Sequence, residues 1–330
     1  MSTSTPLVSV VTPFYNTDAY LAECIKSVIA QSYGNWEYIL VNNKSTDRSA
    51  DIAREYAQAD GRIRVVDTTE FLSQVQNYNF ALQQISSKSA YCKIVQADDW
   101  IFPECISHMV EVGEAYPSTG VISAYRLCGT QVRNVGLDCR TDFFMGRHAG
   151  RTQLMHGGNY FGSPSSVMFR SEIVRRMQPF YRENIPCEDT AACLEVLKSH
   201  DLGFVHQIGS FEREDNLSTS TRLRQVDPDW LLSRFILVLD YGRDFLSDAE
   251  FSETFGSIRH DYFRFLARNA WLFRESPFWT YHLEGMRCAG YAFRYRSMLK
   301  PLLLELGNML GNPKNSAASL LARIRYRART

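Results

Sequence analysis

Two periods organise the apolar positions of this chain. Leu7-Val8-Ser9-Val10-Val11-Thr12 is a short β-branched run ended by Pro13, which predicts a first strand. Leu21, Cys24, Ile25, Val28 and Ile29 then recur at helical spacing through Gln31, with Thr17 or Asp18 placed to cap the helix. Glu37 to Val41 predicts a second strand, Asn42 to Asp47 a loop, and Ile52, Tyr56 and their neighbours a second helix. Ile63 to Val66 predicts a third strand, residues 74–85 a third helix and residues 91–96 a fourth strand. Elements of these lengths in alternation predict an α/β fold: a mostly parallel, right-handed wound sheet flanked by helices.

The pattern loosens after about residue 105. A helix leads to Tyr116-Pro117 and Val121 to Tyr125 predicts a strand, but residues 126–160 are rich in Arg, Gly and Asp without a clean period. Such a stretch predicts a binding loop or lid. A strand resumes over Ser165 to Phe169, and Glu188 to Lys198 predicts a helix whose opening carboxylates suit its dipole. From Pro228 onward the chain is aromatic-rich and helical in pattern, with breaks expected near Pro277 and Pro301. The expected division is a catalytic domain over 1–225, with a nucleotide-binding half (1–105) and an acceptor-binding half (106–225). A helical C-terminal subdomain with a basic tail follows over 226–330.

Composition narrows the function without fixing it. The 330 residues are 45% hydrophobic and 22% charged, ordinary for a globular chain able to bury a large core. Lys plus Arg and Asp plus Glu each number 36, a balance that argues against a nucleic-acid partner. From Arg287 to the end, however, nine basic residues face one acid, Glu305. The eight cysteines include no CxxC, so they read as buried thiols of a reducing compartment. Met1 to Pro6 lacks the basic start and apolar core of a signal peptide. The apolar stretch near Leu231 is interrupted by Arg234 and Asp240. The expected location is cytoplasmic, with the basic C-terminus offering peripheral contact to the inner face of a membrane. Nothing in the sequence fixes the oligomeric state.

The fourth strand ends in charge, Gln96-Ala97-Asp98-Asp99. In open α/β sheets, ligands bind outside the carboxyl ends of the strands. Two like charges there repel and are costly to bury. They read either as a solvated turn or as ligands of a divalent cation that brings its own anion, such as a nucleotide diphosphate. Two more strand ends converge on the same edge. Thr12-Pro13-Phe14-Tyr15-Asn16 offers an aromatic ring and an amide suited to a base, and Asn42 to Asp47 offers short polar side chains for base or ribose. Neither GxGxxG nor GxxxxGK[ST] follows the first strand, which removes the ordinary dinucleotide and P-loop fingerprints.

These segments resemble the family-2 glycosyltransferases: Val8 to Asn16, Leu21 to Tyr33, Val41 to Ser49 and Gln96 to Trp100, joined by Gly162 to Arg170 and Glu188-Asp189. The resemblance covers roughly residues 7 to 220 and is strongest in the first hundred. It implies a GT-A fold, a nucleotide diphosphate sugar donor, UDP-sugar favoured, a divalent Mg²⁺ or Mn²⁺ and inversion at the anomeric carbon. It implies a base pocket at Pro13 and Tyr15, with Asn16 and Asp47 beside it, and a base-edge contact at Asn43. The family commonly has two Asp residues where Asn42 and Asn43 stand; an amide still donates and accepts. The family's Asp-x-Asp metal motif begins here with Gln96, a weaker ligand for a hard cation, so the metal falls mainly to Asp98 with Asp99 nearby. Gln96 is then left to bond the donor ribose.

On the acceptor side, the resemblance makes Asp189 the general base and Glu188 its orienting neighbour; on spacing alone they are equally capping carboxylates at a helix start. His156, Asn159, Gly162 and Ser163 lie in a glycine-rich stretch that either approaches a sugar closely or forms a tight turn. Phe211 to Ser218 resembles the family's mobile segment, which would place Arg213 near the pyrophosphate. The processive Gln-x-x-Arg-Trp motif is absent, so transfer of a single hexose-type sugar to a glycan or lipid-linked saccharide is expected. Two alternatives stand beside it: a nucleotidyltransferase acting on sugar phosphates, and a non-catalytic glycan-binding protein that kept the fold.

Overall fold

The computed structural model describes residues 5–158, 160–213, 223 and 225–311. Its contacts divide the chain into two compact units, one of Met1–Glu183 with Cys187–Leu217 and one of Asn184–Pro186 with Ser218–Thr330.

The first unit opens with β1 (Val8–Phe14), α1 (Leu21–Ile29), β2 (Trp36–Asn42), α2 (Ser49–Ala59), β3 (Ile63–Asp67), α3 (Gln74–Gln83) and β4 (Tyr91–Ile94). It continues with β5 (Trp100–Ile101), α4 (Cys105–Ala115), β6 (Thr119–Cys128), β7 (Gln131–Arg133), β8 (Phe143–Phe144) and α5 (Gly146–His156). A 3-10 turn (Pro164–Ser166), β9 (Val167–Arg170), α6 (Ser171–Arg176), α7 (Glu188–Leu197) and β10 (Asp201–Glu212) complete it. One sheet holds all ten strands in the order β3-β2-β1-β4-β9-β6-β10-β5, with β7 on β6 and β8 on β10. The first four strands are parallel, as predicted, while β5 runs antiparallel to β10. The other half departs from that pattern. β9 runs antiparallel between β4 and β6, and β10 is parallel to β6.

β1 lies at the centre of the parallel set and is buried at every position, which explains its nearly unbroken apolar run. α1 buries Leu21, Cys24, Ile25 and Val28, each apolar side chain contributing about 1.5–3 kcal/mol by burial. Ser73 and Gln76 close a reciprocal capping box on α3.

Three expectations change. β1 does not stop before Pro13: the ladder includes Pro13 beside Val41 and Phe14 beside Asn42. β4 ends at Ile94, and Gln96 already belongs to a turn in which the Asp99 amide donates to the Gln96 carbonyl at 3.0 Å. The stretch 126–160 is not one irregular lid. β6 extends into it to Cys128, and it contains β7, β8 and an eleven-residue helix, α5. That helix has no apolar period because its buried face is Gly146, Ala149, Gly150, Gln153 and Leu154. At Gly146 a Cβ would meet the His200 carbonyl oxygen at 2.0 Å, so the backbone itself is the packing surface.

The second unit is helical among its described residues: α8 (Leu231–Phe245), α9 (Asp248–Trp271), α10 (Ser276–Cys288) and α11 (Arg296–Gly311). Buried Asp227 caps α8, accepting from the amides of Leu231 at 2.8 Å and Leu232 at 3.0 Å. His282, fully buried, bridges the Tyr262 hydroxyl at 3.0 Å and the Val226 carbonyl at 3.1 Å, and burial pushes it down to about 4, so it is neutral. Pro277 falls in the first turn of α10, where no amide is missed. Pro301 does not break the chain as expected; α11 runs through it with the ring buried. No described helix is long and apolar enough to cross a membrane.

Candidate active site

The carboxyl edge of the parallel strands gathers the predicted donor residues, and their hydrogen bonds sort them. Pro13 is buried inside β1. Tyr15, just past it, is exposed and meets Phe71 edge-on with ring centroids 4.8 Å apart. Asn16 has a positive φ of 50° and joins two loops: its Oδ1 accepts from the Thr46 amide at 2.8 Å, and its Nδ2 donates to Thr46 Oγ1 at 3.2 Å. Asp47 makes the parallel joint, accepting from the amides of Asp18 at 3.1 Å and Ser49 at 2.9 Å. Asn43 is buried, and its amide is committed to Leu72, donating to the carbonyl and accepting from the amide at 2.9 Å each. It thus fixes the loop that carries Phe71, a residue that sequence reasoning did not single out.

The acid pair follows in the turn after β4. Asp99 is buried, accepting from the Ser165 hydroxyl at 2.6 Å and the Arg213 amide at 3.3 Å. Burial, reinforced by the Asp98 carboxylate, pushes Asp99 well above the usual carboxylate range. Asp98 is half-buried, and its carbonyl accepts from Arg213 Nε at 3.3 Å. Arg213 is therefore at the acid pair, but its guanidinium is paired with Glu23 at 2.6 Å and lies over Tyr20, 4.6 Å from the ring centroid. Gln96 donates its side-chain amide to the Tyr78 hydroxyl at 3.0 Å, while Gln74 donates to the same oxygen at 2.8 Å. The Gln96 backbone amide donates to Ser165 Oγ at 3.0 Å. Tyr78 and Ser165 had no visible signal: their partners lie 18 and 69 residues away in sequence.

Two adjacent carboxylates, one desolvated, form a hard-oxygen set that fits Mg²⁺ or Mn²⁺, because a cation would relieve the repulsion between them. Among the described residues no group of three or more His, Cys, Asp or Glu gathers. An ion held here would complete its shell with phosphate and water, which is the habit of Mg²⁺.

Glu188 and Asp189 open α7 in the same unit. Burial raises both. Glu188 reaches about 7, with the Asp189 charge as second cause. Asp189 is raised by burial against the pull of the Thr190 amide, which donates to its Oδ1 at 2.6 Å, and of Arg126. Arg126 on β6 is ion-paired with Glu212 on β10 at 2.5 Å. The Glu212 charge acts on Asp189 and on Asp99, so this pair lies electrostatically between the two acidic sites.

Of the expected acceptor residues, His156 ends α5 exposed, and Gly157 caps that helix with φ of 62°. Gly162 also has positive φ, 72°, and a Cβ there would meet Asn134 at 2.6 Å. The Ser163 hydroxyl oxygen is buried without a partner among the described residues. Asn159 lies outside the described residues, as do residues 214–222 and the basic tail 312–330.

The comparisons with known proteins bear on the fold and the family. The curated glycosyltransferase EpsJ of Bacillus subtilis (strain 168), itself uncharacterized, is 34% identical over 110 residues, 33% of this chain and 31% of EpsJ. The chain spans about a third or less of the length of the first such relatives it matches. Among solved structures, residues 1–349 of TarS from S. aureus, in complex with UDP-GlcNAc, superpose with TM-score 0.62 at 15% identity, covering 88% of this chain and 82% of that one. The mannosyltransferase PcManGT of Pyrobaculum calidifontis, in complex with GDP-Man and Mn²⁺, gives 0.54 at 18% identity, covering 87% of each chain. These likenesses carry the fold. The model of glycosyl transferase family 2 matches residues 9–177, just over half of the chain, and the protein belongs to that family.

Proposed function

We propose that this protein is a metal-dependent inverting glycosyltransferase. It moves a single hexose-type sugar from a nucleotide diphosphate sugar, UDP-sugar favoured, to a hydroxyl of a glycan or lipid-linked saccharide. The observation that carries the reading is the presence, in one unit, of two carboxylate pairs in different environments: Asp98–Asp99 at the carboxyl edge of the parallel strands and Glu188–Asp189 at a helix start. TarS with UDP-GlcNAc and PcManGT with GDP-Man and Mn²⁺ support the donor class and the ion.

Tyr15 and Phe71 supply an aromatic surface for the base, held by Asn16, Asp47 and Asn43. Asp98 and Asp99 hold the ion, which when bound supplies positive charge to the departing diphosphate. Asp189 accepts the proton of the acceptor hydroxyl as its oxygen bonds to the anomeric carbon and the bond to the diphosphate breaks. Glu188, raised to about 7, orients the acceptor and, while protonated, keeps a second negative charge away from the base. Ser163 offers a sugar its hydroxyl, which has no partner among the described residues. A panel of nucleotide sugars, assayed for donor hydrolysis and transfer with Mg²⁺ and Mn²⁺, tests the assignment. Turnover of sugar phosphates with nucleoside triphosphate would favour a nucleotidyltransferase, and glycan binding without any turnover a non-catalytic protein.

A second surface bears on location. On α11, Leu299, Leu303 and Leu310 are exposed along one face with Arg296 and Lys300 beside them, while Met298, Pro301 and Glu305 are buried. Glu305 is already paired with Arg264 at 2.9 Å, so the exposed side is cationic and apolar. An anionic lipid surface suits it, at about 1 kcal/mol per Lys or Arg near the bilayer. The protein is then a cytoplasmic enzyme docked peripherally. Flotation with anionic vesicles should recover the chain at low salt and lose it for Leu299→Glu/Leu303→Glu; equal recovery of both with neutral and anionic vesicles would remove this reading.

A further inference from the structure

Lys93 stands in β4, a strand otherwise apolar, with none of its surface exposed. Lysine is almost never buried this completely unless its ammonium is satisfied. Here Nζ donates to the Ser165 carbonyl at 2.6 Å and to the Val167 carbonyl at 3.3 Å, on either side of Ser166. The strand that leads to the acid pair thereby grips the backbone of a turn more than 70 residues later in the chain. That turn reaches back. Ser165, equally buried, has one hydroxyl hydrogen and gives it to Asp99 Oδ2 at 2.6 Å, and its oxygen accepts from the Gln96 amide at 3.0 Å. The residue whose carbonyl is held by Lys93 is the residue whose hydroxyl holds Asp99.

We propose that Lys93 is a positioning residue for the acid pair. By clamping the Pro164–Ser166 turn it aims the Ser165 hydroxyl, which fixes one oxygen of Asp99 and leaves the carboxylate pre-set for a divalent ion. The other oxygen, Oδ1, carries one long bond from the Arg213 amide at 3.3 Å and retains accepting capacity. An ammonium suits the role because two carbonyls converge on a dry point; an apolar side chain would remove both of these bonds. Groups that hold a metal ligand in this way set affinity as well as geometry.

This inference rests on the reading of Asp98 and Asp99 as ion ligands. The probe is Mn²⁺, its free signal followed by electron paramagnetic resonance, with the full chain and UDP present. Ser165→Ala should weaken Mn²⁺ binding by about 10–100-fold, the usual loss when a ligand's hydrogen-bond partner is removed. Lys93→Met should lose as much, and Lys93→Gln, whose neutral amide still donates, should lose less. Combined with Ser165→Ala, Lys93→Gln should cost no further affinity, because the two act along one path. Wild-type Mn²⁺ affinity in Ser165→Ala, or a Lys93→Gln loss that persists in full in that background, would overturn the inference. If neither Lys93 variant folds, wild-type Mn²⁺ affinity in Ser165→Ala still overturns the inference. Failure of the wild-type chain to bind Mn²⁺ with UDP would instead remove the metal reading, and this inference with it.

Discussion

The two acidic sites of the first unit are alike in sequence and unlike in what surrounds them. Asp98–Asp99 sits in a turn, and a hydroxyl and a backbone amide from distant segments fix the buried member. Glu188–Asp189 sits at a helix start, where one local amide and a neighbouring Arg–Glu pair balance the charge. In the first arrangement Asp99 is fixed by two donors, one short and one long. In the second, Asp189 takes the Thr190 amide of its own helix, and burial raises it as it raises Asp99. The roles proposed for the two pairs thus fall on carboxylates held by different partners.

The sharpest way to break this contrast is at Asp189. Asp189→Asn should lower kcat by about 10²–10⁴-fold while donor affinity, measured by calorimetry, stays near wild type. Loss of donor binding with turnover otherwise preserved would move Asp189 to the donor side. Asp98→Asn should cost about 10²–10³-fold, the scale of one electrostatic stabiliser, and chelator should inhibit the wild type strongly and the variant little. Full turnover of Asp98→Asn in chelator would end the metal role.

Asn43 tests whether the donor edge is held or reads. Asn43→Ala leaves the amide and carbonyl of Leu72 unpaired and should destabilise the fold by about 1–3 kcal/mol in denaturant unfolding. A variant of unchanged stability but altered preference among nucleotides would show that Asn43 faces the base instead.

Glu188 gives the smallest effect and the finest test. Its carboxyl, about 7 in the fold, lies above its ordinary value of 4.5, so the native state binds the proton more tightly than the unfolded chain. Stability from this group is present below about 4.5 and is lost as pH rises to about 7. Glu188→Gln should therefore raise Tm slightly at pH 8 and leave it unchanged at pH 4.5. Any inflection near pH 7 in the kcat profile should disappear in the same variant. A Tm gain of equal size at both pH values would show that the group does not titrate there.

Much of the nucleotide half was legible because its elements follow simple periods. β1 and β2 are mostly buried, largely apolar runs, β3 is a short β-branched one with only Ile63 buried, and α1 shows Leu21, Cys24, Ile25 and Val28 on one face. The carboxylate pair at the end of β4 was visible for the same reason. α5 was not, because a helix that packs through Gly146, Ala149 and Gly150 buries backbone and leaves no hydrophobic trace. Nor was the support of the site. Ser165 and Tyr78 act through single hydroxyls across long sequence separations, and only the folded chain brings those hydroxyls to Asp99 and Gln96. Lys93 did leave a mark, a charge inside an apolar strand, and the structure supplies its reason.

The ends of the sheet bear on how copies of this protein meet. The main path ends at β3, five residues long, with Arg64 and Asp67 turned to solvent, and at β5, two residues long; the side strands β7 and β8 are equally short, at three and two residues. Short margins that carry charge resist pairing with a second sheet. A crowded solution of this protein should therefore resist growth into continuous ribbons of β-structure.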